Sequence, residues 1–129
     1  MGAVLTGMAK TPDVILSSPA VRATSTADHA ADEGGWGAPV QIVNSLYGGG
    51  VRQVVDAIRA TPHPASRVML VGHEPTWGLA VASLCGGGNH RMVTAAVACI
   101  EVPAFAVAGP GSGRLLWLLA PRLFTDGAL

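Results

Sequence analysis

Apolar residues fall along the chain in two rhythms, and the changes of rhythm mark its elements. Val51, Val54, Val55 and Ile58 recur at helical spacing, which predicts an amphipathic helix with one core face that ends at Thr61-Pro62. Val4, Leu5 and Met8 keep the same spacing, and that helix ends before Pro12. Short apolar runs lie between the helices: Asp13-Val14-Ile15-Leu16, Val40-Gln41-Ile42-Val43 and Val68-Met69-Leu70-Val71. Each predicts a strand, and Val68 to Val71 suits one covered on both faces. Ser18 is a good N-cap and Pro19 fits a first helical position. A helix therefore follows through Ala23, Thr26, Ala27 and Ala30 until Gly34-Gly35. Pro75 likewise opens a helix over Thr76 to Leu84, with Gly86 as its stop. Ala96 to Phe105 predicts a strand carrying Glu101, and Arg114 to Leu119 a last strand. The five-residue turn Gly109-Pro110-Gly111-Ser112-Gly113 links them and favours an antiparallel pair. The earlier strands alternate with helices, which favours parallel pairing.

Composition narrows the class. Half of the 129 residues are hydrophobic and 12% are charged, enough for one real core and against disorder. Without a repeat or linker, one domain over residues 1–129 is expected. Eight basic residues balance eight acidic ones with no basic stripe, so no nucleic-acid partner is expected. The most apolar stretch, Val93 to Ala108, contains Glu101 and Pro103 and is too interrupted to span a bilayer. No secretory signal is visible. Met1 to Thr6 formally matches a myristoylation pattern, but the same residues read more simply as core helix. Cys85 and Cys99 lie far apart in apolar surroundings. They read as buried free thiols in a reducing, cytoplasmic compartment rather than as a disulfide or metal pair.

The candidate chemistry centres on Val71-Gly72-His73-Glu74-Pro75, where a strand stops and a helix starts. Open α/β sheets bind ligands outside the carboxyl ends of their strands, which is where His73 stands. The plain alternative is a histidine that closes a strand on a backbone carbonyl. Arg22 lies in a first helical turn, where the dipole disfavours a cation. An arginine there strengthens an anion pocket at the helix N-terminus; otherwise it faces solvent. Glu74 is near enough to tune His73, or is simply an acid that the helix start favours. The runs Gly48-Gly49-Gly50 and Gly86-Gly87-Gly88 are not phosphate loops, since neither carries a Gly-Lys-Ser/Thr or a Gly-x-Gly-x-x-Gly setting.

Four stretches, in this order, resemble one family. Ser17-Ser18-Pro19-Ala20-Val21-Arg22-Ala23-Thr24-Ser25-Thr26-Ala27 is similar to the second-arginine motif of the histidine phosphatase (phosphoglycerate mutase-like) superfamily. Val71 to Pro75 is similar to its second-histidine motif. Met92-Val93-Thr94-Ala95-Ala96 and Gly113 to Pro121 resemble its short, SixA-type phosphohistidine phosphatase branch. The likeness implies a three-layer α/β/α fold, with a mostly parallel sheet and an antiparallel C-terminal strand pair. It implies a phosphatase in which Arg22 and His73 hold the phosphoryl oxygens, with Ser18, Glu74 and Thr94 as substrate-binding candidates. No cofactor or metal is implied. The partner would be a phosphorylated small molecule or a phosphohistidine protein, and the oligomeric state stays open. Leu46-Tyr47-Gly48-Gly49-Gly50 has no acid where several branches carry a proton donor, and the short branch resembles this chain in that.

The chain departs from the family at its signature. The superfamily's nucleophile is the histidine of an Arg-His-Gly or Arg-His-Ala that ends its first strand. Here the histidines are His29, His63, His73 and His90, and none follows an arginine. The resemblance implies that a front βα unit, on the order of 30 residues or more, is missing, so an N-terminally truncated domain is expected. Its first strand would be interior to the sheet, which leaves the parallel strands and the terminal hairpin with facing unpaired edges. Covalent catalysis needs that imidazole. The expectation is half a phosphate pocket that binds but does not turn over, or a non-catalytic phosphate-binding or interaction module.

Overall fold

The computed structural model describes residues 2–62, 64–89, 92–93 and 96–120. Strands β1 (Val14–Ser17), β2 (Val40–Ile42) and β3 (Val68–Val71) form a parallel sheet in the order β2-β1-β3. In its register Ile15 lies between Val40 and Met69, and Ser17 between Ile42 and Val71. Strands β4 (Val97–Glu101) and β5 (Arg114–Leu119) form a separate antiparallel pair. Among the described residues four α-helices complete the frame: α1 (Gly2–Gly7), α2 (Val21–Gly34), α3 (Val51–Arg59) and α4 (Thr76–Leu84).

Alternation along the strands sorts the apolar residues into two cores. Ile15, Val40 and Met69 pack with Leu5 of α1 and Ala27 of α2. Leu70 packs on the other side with Val54 and Ile58 of α3 and with Ala80 and Leu84 of α4. The result is the expected three-layer α/β/α arrangement, with a parallel sheet followed by an antiparallel pair. The hairpin serves both cores: Val97 and Trp117 join the first, Ile100 the second. The helix α2 stops where the pattern predicts. Gly35 takes a left-handed φ of 66° that costs glycine nothing.

Three local expectations are corrected. Helix α2 starts at Val21, with Ala20 as N-cap and no side-chain cap bond, so neither Ser18 nor Pro19 opens it. The strand expected to reach Phe105 ends at Glu101. Pro103, two residues on, has no N–H to extend the ladder, and the chain turns through a 3-10 segment, Phe105–Val107. The hairpin connection is therefore 102–113, and the glycine turn is only its last part. Finally, all four residues of β3 are half-buried rather than covered on both faces. Among the described residues β3 pairs with β1 alone and β4 with β5 alone. Each thus keeps one unpaired edge.

A carboxylate ties the entry of β1 to that of β3. Asp13 Oδ2 accepts the Ser66 N–H at 2.8 Å, the Ser66 hydroxyl at 2.9 Å and the Arg67 N–H at 2.9 Å. The Ser66 backbone bond is the main reason its pKa lies below the ordinary carboxylate value. A depressed folded pKa means stability that is present above the unfolded pKa and lost as pH falls through the folded one. Asp13→Asn should therefore lower stability at pH 7 by at most about 1 kcal/mol, because solvent screens this exposed group. Thermal melts of both proteins in an acid series should converge once the wild-type carboxyl is protonated. A gap that persists at the acid end would refute the assignment.

Candidate functional site

Two parallel strands in register end at the same edge of the sheet. Ser17 is opposite Val71, and the Ser18 N–H donates to the Val71 carbonyl at 3.0 Å. The residues just beyond, Ser18 and His73, are thereby brought together although 55 positions separate them. Ser18 Oγ lies 3.0 Å from His73 Nε2. Ser18 is fully buried, and its hydroxyl oxygen also accepts the Ala20 N–H at 3.3 Å. This is why Ser18 does not cap α2: its oxygen is turned inward to the imidazole.

Hydrogen-bond capacity bounds the character of this pair. A serine hydroxyl has one proton to donate and two lone pairs. Ala20 takes one lone pair, so the hydroxyl meets His73 Nε2 either by donating its proton or by accepting on its second lone pair, according to the ring tautomer. The His73 ring makes no other hydrogen bond among the described residues, so Nδ1 is left without a partner there.

The cleft beside His73 has a volume of about 410 Å³. Its walls are Leu46, Tyr47 and Gly49 from the segment after β2, and His73, Thr76 and Trp77 from the start of α4. The Thr76 hydroxyl donates to the Gly49 carbonyl at 3.2 Å and holds the two walls together. Trp77 folds back over Gly72 and donates its indole N–H to the Leu70 carbonyl at 3.3 Å. A Cβ on Gly72 would fall inside that indole ring, so the close approach requires glycine.

The structure places the remaining candidates as follows. Glu74 lines the cleft, but its Oε1 accepts the Gly78 N–H at 2.6 Å and so caps α4 rather than touching His73. With the Trp77 N–H donating to the His73 carbonyl, two of the backbone donors that might have met an anion are already used. Arg22 is exposed in the first turn of α2, which leaves the same end of the sheet. Its guanidinium has no partner among the described residues. Thr94 lies outside the described residues, as do His63 and His90. His29 is exposed on α2 and does not line the cleft. Tyr47 was not singled out by sequence reasoning, although it does: its ring meets the His73 ring edge-on, with centroids 6.4 Å apart and planes at 88°. The one available signal was an aromatic between a strand end and a glycine run. A second cleft of equal size opens by Asp13 and Ser66, but the facing carboxylate oxygen is saturated by three donors.

Among the described residues no three His, Cys, Asp or Glu side chains converge to hold a metal ion. Cys85 and Cys99 are free thiols, half-buried, and burial pushes the Cys85 thiol pKa up. No described helix is long and apolar enough to cross a membrane.

No family model matches the chain. Proteins of Mycobacterium tuberculosis strains CDC 1551 and H37Rv, both uncharacterised, are each 28% identical to it over 121 residues, or 85% of this chain and 74% of theirs. A solved structure from Nakamurella multipartitia, assigned as phosphohistidine phosphatase SixA, matches with a TM-score of 0.76 at 25% identity. The match covers 93% of this chain and 77% of that one. A structure of the same assignment from Agrobacterium tumefaciens also gives 0.76, at 23% identity, over 93% of this chain and 75% of its own. With its parallel β2-β1-β3 sheet and antiparallel β4-β5 pair, the chain has the α/β fold of these SixA, phosphoglycerate mutase-like structures.

Proposed function

We propose that the His73 cleft is a phosphoryl-binding site of the histidine phosphatase kind, within a single domain. The observation that carries the reading is the Ser18–His73 bond, which leaves the other imidazole nitrogen without a partner at the carboxyl edge of a parallel sheet. Ligands of such sheets bind at this edge. An Nδ1–H suits a phosphoryl oxygen, and the exposed Arg22 at the same end of the sheet supplies a positive charge. The SixA likeness supports the same reading and names phosphohistidine as the substrate class of those relatives.

Hydrolysis in this family proceeds through attack of an imidazole nitrogen on phosphorus, departure of the leaving group, and release of phosphate by water. Two imidazoles are needed, one to attack and one to hold. The described residues bring one histidine to the cleft, and in this reading His73, hydrogen-bonded through Nε2, is the holding one. So read, the cleft binds a phosphoryl group without turning it over. A non-catalytic phosphate-binding module is the same site put to another use.

The test is direct. The purified 129-residue chain, titrated with inorganic phosphate and followed by phosphorus and amide NMR, should show a millimolar dissociation constant, about −4 kcal/mol. Shifts should centre on Gly72 to Trp77. The same chain incubated with phosphoramidate or a phosphohistidine peptide should release no phosphate above the spontaneous rate. Release that His73→Ala abolishes would overturn the binding-only reading. Shifts elsewhere on the chain would overturn the site.

A further inference from the structure

We infer that Tyr47 is the platform for the group that carries the phosphoryl, so that the cleft selects planar, ring-bearing phosphoryl compounds over alkyl ones. This rests on the phosphoryl site proposed above and adds its specificity. Tyr47 is 65% exposed, unusual for so large an apolar ring, and yet it is not on a loose loop. Leu46, its neighbour, is 2% exposed in the core. The Tyr47 N–H donates to the Asn44 carbonyl at 3.1 Å, and Gly49, two residues on, is held by the Thr76 hydroxyl at 3.2 Å. The backbone on both sides of the ring is fixed while the ring itself stands in solvent.

Among the described residues the ring's one aromatic contact is the perpendicular one to His73. In that geometry the two rings form a corner. A phosphoryl oxygen that meets His73 Nδ1–H brings its leaving group along the corner, against the open side of Tyr47. Trp77 and Leu46 also line the cleft, beside the polar Glu74 and Thr76. An imidazole or phenyl ring would stack or pack edge-on there, and such aromatic pairs add stabilisation beyond their buried area. A methyl or a sugar carbon would find the same phosphoryl contacts but no ring partner. Tyr47 makes no hydrogen bond through its hydroxyl among the described residues, so the ring rather than the hydroxyl is the recognising group.

The experiment compares phenylphosphonate with methylphosphonate, which carry the same charged head and are not hydrolysed. Binding to the full 129-residue chain is measured by NMR titration. Phenylphosphonate should bind about tenfold more tightly. Tyr47→Ala should bring phenylphosphonate down to the methylphosphonate value, and Tyr47→Phe should keep the difference. Equal affinities in the wild type, or a preference that survives Tyr47→Ala, would overturn the assignment of Tyr47 and leave the phosphoryl site standing. Binding of neither phosphonate, or binding of both that is indifferent to His73→Ala, would overturn the phosphoryl site and the assignment with it.

Discussion

Gly72→Ala should destabilise the chain by about 3 kcal/mol, the upper range for forcing atoms into a packed site, and the cause should be traceable to one partner. The Cβ would enter the Trp77 indole, which is itself anchored by its N–H to the Leu70 carbonyl. The ring cannot slide along the strand without losing that bond. Gly72 does not have a positive φ, so alanine has no conformational objection of its own. In fact alanine narrows the unfolded ensemble, which stabilises by roughly 0.4–1 kcal/mol where no clash exists. The sign should therefore reverse in a Trp77→Ala background: Gly72→Ala costs stability when Trp77 is present and adds it when Trp77 is gone. Denaturant melts of the four proteins of this cycle read the reversal directly. Equal costs in both backgrounds would sink the explanation. The consequence for function is geometric, since the same ring forms a wall of the cleft, and the strand end that presents His73 runs beneath it.

How much of this was readable in advance depended on the range of the interaction. The step from β3 into α4 was legible because Val68 to Val71, Gly72 and Pro75 each carry a local signal, and local signals agree there with the fold. The parallel sheet and the final hairpin were legible for the same reason. Ser18 was misread for the opposite reason. Judged by its neighbours it is a helix cap, but a bond to a residue 55 positions away claims its hydroxyl. That partner becomes visible only once the β1–β3 register is known. The strand carrying Glu101 was drawn too long because its apolar residues continue past Pro103, and the proline rather than hydrophobicity sets the end. β3 read as fully covered because four apolar residues in a row imply burial; its unpaired edge is a property of the sheet, not of the run. Tyr47 carried no periodic signal at all, being an exposed aromatic outside any helix or strand.

The cleft itself makes the sharpest claim. His73→Ala should reduce phosphate affinity below detection and lower stability by about 1 kcal/mol, because the half-buried ring fills no core position but its loss leaves the buried Ser18 hydroxyl without that partner. Ser18→Ala should act on the same quantity through the ring. We take Ser18 as the donor in this bond; without the hydroxyl, Nε2 then loses its partner, and the ring no longer has a reason to keep its proton on Nδ1. A net hydrogen bond is worth about 1 kcal/mol, so affinity should fall by roughly fivefold to tenfold. The readout that separates positioning from mere destabilisation is nitrogen NMR of the imidazole. The wild type should show Nε2 as the unprotonated nitrogen and Nδ1 as the protonated one, and Ser18→Ala should shift the ring toward the opposite tautomer. Stability will also drop, since the Ala20 N–H loses its acceptor, but that loss alone moves no proton on His73. If the tautomer is unchanged in Ser18→Ala, the serine is packing and not positioning. If His73→Ala binds phosphate as well as the wild type, then the imidazole only closes the strand, and the anion, if it binds, is held by Arg22 instead.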